Sequence, residues 1–190
     1  MRAKVSIVEC KSYEQQQVDQ AVHQSLELVG GIRNFIKPKD KVLIKVNALQ
    51  ARDPDDCVTT HPAVVAAVVK EVKKAGAIPL VGDSPGSISA NVRQTMEKTG
   101  IKQATEEAGG KIVYFQETGI VDVPSPSGNP NISQLKIAKA VMEADAVINL
   151  PKLKTHNLTL FTGAIKNMFG AITGFHKSRF HIASPRPQDF

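Results

Sequence analysis

Short apolar runs alternate with stretches of helical period along most of this 190-residue chain. Residues 4–9 (KVSIVE), 41–46 (KVLIKV), 77–81 (AIPLV), 111–115 (KIVYF) and 146–150 (AVINL) are short and mostly rich in β-branched side chains, and they read as β-strands. Between the first two, Val18, Val22, Leu26 and Val29 recur at helical spacing and stop at Gly30-Gly31. The run AVVAAVVKEVKKAG is amphipathic. Pro62 opens it at a position where a missing N–H costs nothing, lysines fill its last turn, and Gly76 ends it. Two short helices are expected over 91–98 and 102–108, parted at Gly100, and residues 135–144 read as a strand followed by a helix. Residues 118–131, rich in Pro, Gly and Ser, read as a loop or hairpin excursion, and 174–190, with Pro185 and Pro187, predicts no regular element.

Strand–helix alternation of this kind predicts an α/β fold. Its mostly parallel sheet would have four to six strands and helices on both faces, within a single domain over residues 1–190. The polar residues then acquire meaning from position. Lys45 and Asn47 end one strand, Asp83 and Ser84 another, and Lys152, Lys154 and His156 follow AVINL. In a parallel sheet these carboxyl ends share one edge, the edge where ligands bind.

Charge sharpens that expectation. No acidic residue lies between Asp145 and Asp189, while Lys152, Lys154, Lys166, Lys177, Arg179 and Arg186 do, a surplus equal to the whole net charge of +6. Such a segment reads as a place where something negative is bound; the alternative is a solvated basic surface. With 42% hydrophobic and 22% charged residues, the chain can bury a core. No apolar run approaches the length of a membrane span and no cleavable leader is evident at the start. Two cysteines without close spacing, Cys10 and Cys57, suit a reducing cytoplasm and small buried or idle side chains rather than a disulfide framework.

PKLKTHN (Pro151 to Asn157) places two ammonium groups and an imidazole beside a strand end. On an extended chain Lys152 and Lys154 project to one side, suiting a phosphate or carboxylate. TGAIKNMFG (Thr162 to Gly170) reads as a helix start offering backbone N–H groups, with Thr162, Lys166 and Asn167 as ligand candidates and Ile165, Met168 and Phe169 packing inward. In TTHP, His61 stands before a helix as a neutral ring able to take a proton or bind a metal, or else Thr59 or Thr60 simply caps that helix. Asp83 could orient a histidine, pair a lysine, hold a metal or cap its turn. His61, His156, His176 and His181 with Asp83 have no metal-site spacing, and the dense positive charge opposes a bare cation, so no protein-held metal is expected. Walker A, GxSxG and GxGxxG patterns do not occur. Phe161, Phe169, Phe175 and Phe180 interleave with the basic residues as in a single-strand nucleic-acid surface, but no nucleic-acid fold pattern accompanies them, so core positions are expected for most and nucleic acid is disfavoured.

Lys45-Val-Asn47, Thr59-Thr-His61-Pro62, Gly82-Asp83-Ser84-Pro85-Gly86, INLPKLKTH and TGAIKNMFG together resemble the domain-of-unknown-function 362 family, over nearly the whole chain. The resemblance names a family commonly described as iron–sulfur-associated, whose members usually continue further and in some cases carry a C-x-x-C-x-x-C run. This chain has no such cysteines, so the expectation is no cofactor on it, with any cluster on a missing C-terminal domain or a partner. The chain is thus expected to be the N-terminal part of a longer family domain, associating as a homodimer or with a redox partner protein. The expected site gathers Lys45, Asn47, His61, Asp83, Ser84, Lys152, Lys154, Thr162, Lys166 and Asn167 around an anionic small molecule, with His156 placed for proton transfer. No reaction type follows from the sequence.

Overall fold

A computed structural model describes residues 3–86, 91–126, 132–157 and 159–183, apart from the side chains of Phe175 and His181. Four parallel strands form the central sheet: β1 (Lys41–Lys45), β2 (Ile78–Asp83), β3 (Lys111–Tyr114) and β6 (Ala146–Asn149), in the order β3-β2-β1-β6. β1 lies inside the sheet, and Val42, Leu43 and Ile44 are fully buried because both of its faces are covered.

The two covering layers differ. On one face Val42, Ile44 and Val46 pack against Val65, Val68, Val69 and Val72 of α2 (Pro62–Lys74), joined by Met96 of α3 (Val92–Lys98) and Ile101 of α4 (Ile101–Glu107). Each such aliphatic side chain contributes about 1.5–3 kcal/mol relative to exposure. α1 (Gln15–Leu28) lies outside this layer, where Val18 packs against Ala63 and Ala67 and the small side chains let the helices approach. The other face is thinner. Leu43 meets Phe115 and Ala138, backed by the antiparallel hairpin β4 (Ile120–Pro124) and β5 (Gln134–Ala138) and the short α5 (Lys139–Met142). The α/β class, the parallel sheet and the hairpin excursion are as the pattern implied.

Three local expectations are corrected. Residues 4–9 form no strand, and Val5 and Ile7 are 81% and 91% exposed, because the segment finds no strand to pair with among the described residues and an isolated strand leaves its backbone groups unpaired. AVINL forms β6 but is not buried; among the described residues it is a sheet edge, paired with β1 alone, and Val147 is 39% exposed. A helix, α7 (Phe175–Ala183), occupies a segment where none was predicted. FHKSRFHIA has no clear apolar stripe, and tertiary bonds described below hold it instead.

Candidate functional site

The parallel registers bring the strand ends together. Lys45 stands beside Gly82 on one side and Asn149 on the other, and Asp83 follows directly. The fully buried Lys45 Nζ lies 2.7 Å from Asp83 Oδ1 and donates to Val46 O at 2.7 Å. Burial lowers the pKa of this lysine, opposed by the charge of Asp83 and by their hydrogen bond. The carboxylate is saturated from its own side, since it accepts the Ala48 and Ser84 backbone N–H groups, each at 2.7 Å. Gly170 seals the pair: a Cβ there would sit 2.4 Å from Asp83 Oδ1 and 2.7 Å from Lys45 Nζ.

Asparagines extend this floor. Asn167 Oδ1 accepts from Lys45 Nζ at 3.2 Å and from Asn47 Nδ2 at 2.9 Å, while its Nδ2 donates to Asn149 Oδ1 at 2.7 Å. Asn167 belongs to α6 (Ala164–Asn167), four residues long and continued by a 3-10 turn, so TGAIKN offers no extended helix dipole. The Thr60 hydroxyl accepts from Asn47 N at 2.8 Å and donates to Leu150 O at 2.6 Å, joining the loop after β1 to the end of β6.

A second hairpin, β7 (Lys154–His156) with β8 (Leu160–Thr162), supplies one wall. Lys154 stands opposite Thr162 in its ladder, so both side chains rise from the same face. Phe161, between Leu160 and Thr162, projects to the opposite face and is exposed, and Leu153 just before β7 is exposed too. Lys154 Nζ donates to Asn47 Oδ1 at 2.7 Å and also to Val58 O. Its pKa is pushed down to about 8, first by burial and then by Lys166, with Asp83 opposing and Lys152 adding to the shift. Burial also lowers Lys166. Lys177, on α7, donates to Ser84 O at 2.7 Å, Ser84 Oγ at 3.1 Å and Pro85 O at 2.9 Å. Burial pushes it down to about 8 as well, against the pull of Asp83.

These walls enclose a cavity of about 170 Å³. Lys45, Asn47, Asp83, Ser84, Lys154, His156, Thr162, Lys166 and Asn167 all line it, together with Leu49, Phe169, Gly170, Lys177 and Ser178. Among the described residues Asp83 is its one acidic lining residue. Thr162 is only 3% exposed and its hydroxyl has no hydrogen-bond partner, a state that costs about 1–3 kcal/mol in a protein interior. His156 Nδ1 accepts the Thr159 N–H at 3.2 Å, which leaves the proton of the neutral ring on Nε2.

Two expected members stand elsewhere. His61 stacks on Tyr13, ring centroids 3.6 Å apart, and Lys152 donates to the Tyr13 hydroxyl at 3.2 Å. Lys152 and Lys154 therefore do not project together, because regular strand geometry begins only at Lys154. His61 itself caps α2, its Nδ1 accepting from Ala63 N at 3.2 Å, a role the sequence had left to Thr59 or Thr60. Burial lowers its pKa, with Asp55 opposing and Lys152 assisting. Ile165, expected to pack, is 94% exposed. The cavity also recruits residues that sequence reasoning missed. Lys177 had only its charge as a signal and lay where no element was expected; Gly170, and Asn149 bonded to Asn167 beneath the cavity, were legible only as members of the motifs that carry the family resemblance.

Among the described residues no three or more His, Cys, Asp or Glu side chains gather as a metal site. Cys10 and Cys57 are exposed, which excludes the buried alternative of the two the sequence left open, and neither lines the cavity. An iron–sulfur cluster needs cysteine thiolates, so these residues do not fit one.

Over 182 residues the chain is 38% identical to a thylakoid-associated protein of Synechocystis sp., an alignment covering 96% of this chain and 54% of that protein. It thus spans about half the length of the curated relative it matches. Residues 42–189, from the second position of β1 onward and including every cavity residue, match the family described as a domain of unknown function, DUF362. The chain belongs to the DUF362 family.

Proposed function

We propose that this protein binds an anionic small molecule, bearing phosphate or carboxylate, at the carboxyl edge of its parallel sheet. One observation carries the reading. Lys154, Lys166 and Lys177 converge on a cavity whose sole carboxylate among the described residues, Asp83, is already engaged by Lys45. Ammonium groups brought together repel one another: burial lowers the pKa of Lys154, Lys166 and Lys177, and neighbouring lysines lower it further for Lys154 and Lys177. A bound oxyanion relieves the repulsion and gains charge-assisted hydrogen bonds. His156 is the imidazole on this wall and so the side chain suited to proton transfer with a bound ligand, giving up a proton from its imidazolium form. In this reading the chain is the substrate-holding part of an iron–sulfur-associated redox protein, the cluster being carried by other polypeptide. The test is isothermal titration of inorganic phosphate and simple carboxylates into the parent and into Lys154→Met and Lys166→Met separately. Each substitution should weaken binding by about 1.5–3 kcal/mol, the worth of one charge-assisted contact. Parent-like affinity in both variants would reduce the basic segment to a surface.

A second reading, a non-catalytic association surface, rests on the exposed apolar side chains Leu153, Leu160, Phe161 and Ile165 on and beside the β7–β8 hairpin. Exposed apolar clusters of this kind mark interaction sites. Sedimentation velocity of Leu160→Asp with Ile165→Asp against the parent tests for a homodimer, and a steep salt dependence of oligonucleotide binding would point to nucleic acid. Two free exposed thiols favour a reducing, cytoplasmic location. No helix among the described residues is long and apolar enough to cross a membrane, and the relative's thylakoid association makes a membrane surface the alternative location.

A further inference from the structure

The kind of oxyanion can be narrowed from the geometry of the donors, given the anion-binding reading on which this step rests. Lys154 and Thr162 oppose each other across the β7–β8 ladder, and Lys166 comes in from α6, four residues beyond Thr162. The donors therefore approach from separate backbone positions, not from one planar group. Among the described residues no arginine lines the cavity. A planar carboxylate is best met by the paired N–H groups of a guanidinium, whereas separate ammonium and hydroxyl donors act as points and suit the oxygens of a tetrahedral group.

Counting donors and charges agrees with this. Lys154 directs hydrogen bonds to Asn47 Oδ1 and Val58 O, leaving one of its three N–H groups. Lys166 makes no hydrogen bond or ion pair among the described residues, and the Thr162 hydroxyl, sealed from solvent, has no acceptor. That is three separate donor groups, one for each of three terminal oxygens, where a carboxylate has two. Asp83 offsets Lys45, and Lys177, though also without a carboxylate partner among the described residues, spends its three N–H groups on neutral oxygens of Ser84 and Pro85, so Lys154 and Lys166 are the two cavity cations with N–H donors left for a ligand. A phosphomonoester carries about −1.5 to −2 at neutral pH and matches them; a monocarboxylate leaves one unmatched.

We propose that the cavity is a phosphoryl site, in which Lys154, Lys166 and Thr162 hold the dianionic end of a phosphomonoester. Isothermal titration with methyl phosphate, inorganic phosphate, sulfate, acetate and malonate tests it, on the parent, Thr162→Val and Thr162→Ser. The tetrahedral dianions should bind at least about tenfold tighter than acetate or malonate, malonate being the control that matches charge without shape. Thr162→Val should weaken phosphate about three- to tenfold with little effect on acetate, and Thr162→Ser should restore it. Thermal unfolding of ligand-free Thr162→Val should occur at or above the parent temperature, since the change removes an unsatisfied hydroxyl, and this separates lost binding from lost structure. Carboxylates as tight as phosphate, sulfate no tighter than acetate, or phosphate binding unmoved by Thr162→Val would each overturn the phosphoryl assignment while leaving an anion site in place. Binding of none of the five probes would remove the anion-binding reading together with it.

Discussion

Lysines on the α1–α2 face and lysines at the strand ends live by opposite rules. On the helical face cations come with carboxylates: Lys70 Nζ is 2.6 Å from Asp19, and Lys74 Nζ is 2.7 Å from Glu71, whose other oxygen lies 3.2 Å from His23. Glu71 accordingly raises the Lys74 pKa, through a hydrogen bond and its charge. At the strand ends Lys154 and Lys177 are instead pushed down to about 8, chiefly by burial. The first arrangement is complete in itself. The second retains an unmatched positive charge inside a cavity, and that difference separates a candidate site from a merely charged surface.

The largest expected effect tests what holds the strand ends in place. Asp83→Asn leaves Lys45 buried without a counter-charge, and urea unfolding should show a loss of about 3–5 kcal/mol. A loss below about 1 kcal/mol would mean that this pair is no more important than the surface pairs across the helices. Gly170→Ala comes next. Its Cβ would meet both Asp83 Oδ1 and Lys45 Nζ, and overpacking of this kind costs about 1–3 kcal/mol in the same measurement.

The pH dependence sharpens the contrast further. In the fold Lys154 and Lys177 titrate at about 8, against the ordinary lysine value of 10.5. Between those values the unfolded chain binds more protons than the folded one, so ligand-free stability should rise with pH across that window. The groups facing Lys154 are Lys166, Asp83 and Lys152, with His156 on its own strand; those facing Lys177 are Asp83, Lys45 and Lys166. Lys74 acts with the opposite sign, its contribution being lost as pH climbs through its raised value. Urea midpoints at about pH 7.5 and about pH 9.5 should therefore increase, and saturating phosphate, which favours the charged lysines, should flatten the rise. A flat ligand-free profile would contradict the unmatched charge. The smallest effect is expected from Lys70→Met, within about 1 kcal/mol, because its ion pair with Asp19 is partly exposed and screened by solvent.

Much of this could be read without coordinates, for a physical reason. β1, β2 and α2 have local apolar periods long enough to specify both element and face, and a parallel sheet then obliges Lys45 and Asp83 to share an edge. The acid-free segment likewise announced unmatched charge, because composition alone counts lysines and carboxylates. Other features depended on partners distant in the chain. Residues 4–9 have the side chains of a strand but, among the described residues, no strand alongside to pair with. α7 lacks an apolar stripe and is tied down through Lys177 to Ser84 and Pro85, more than 90 positions away. Lys152 and Lys154 look equivalent in sequence, yet one meets Tyr13 and the other Asn47. Local pattern determined the strands, the helices and the edge; only long-range packing could decide which cations reach the cavity, since a lysine's long stem takes its direction from what surrounds it.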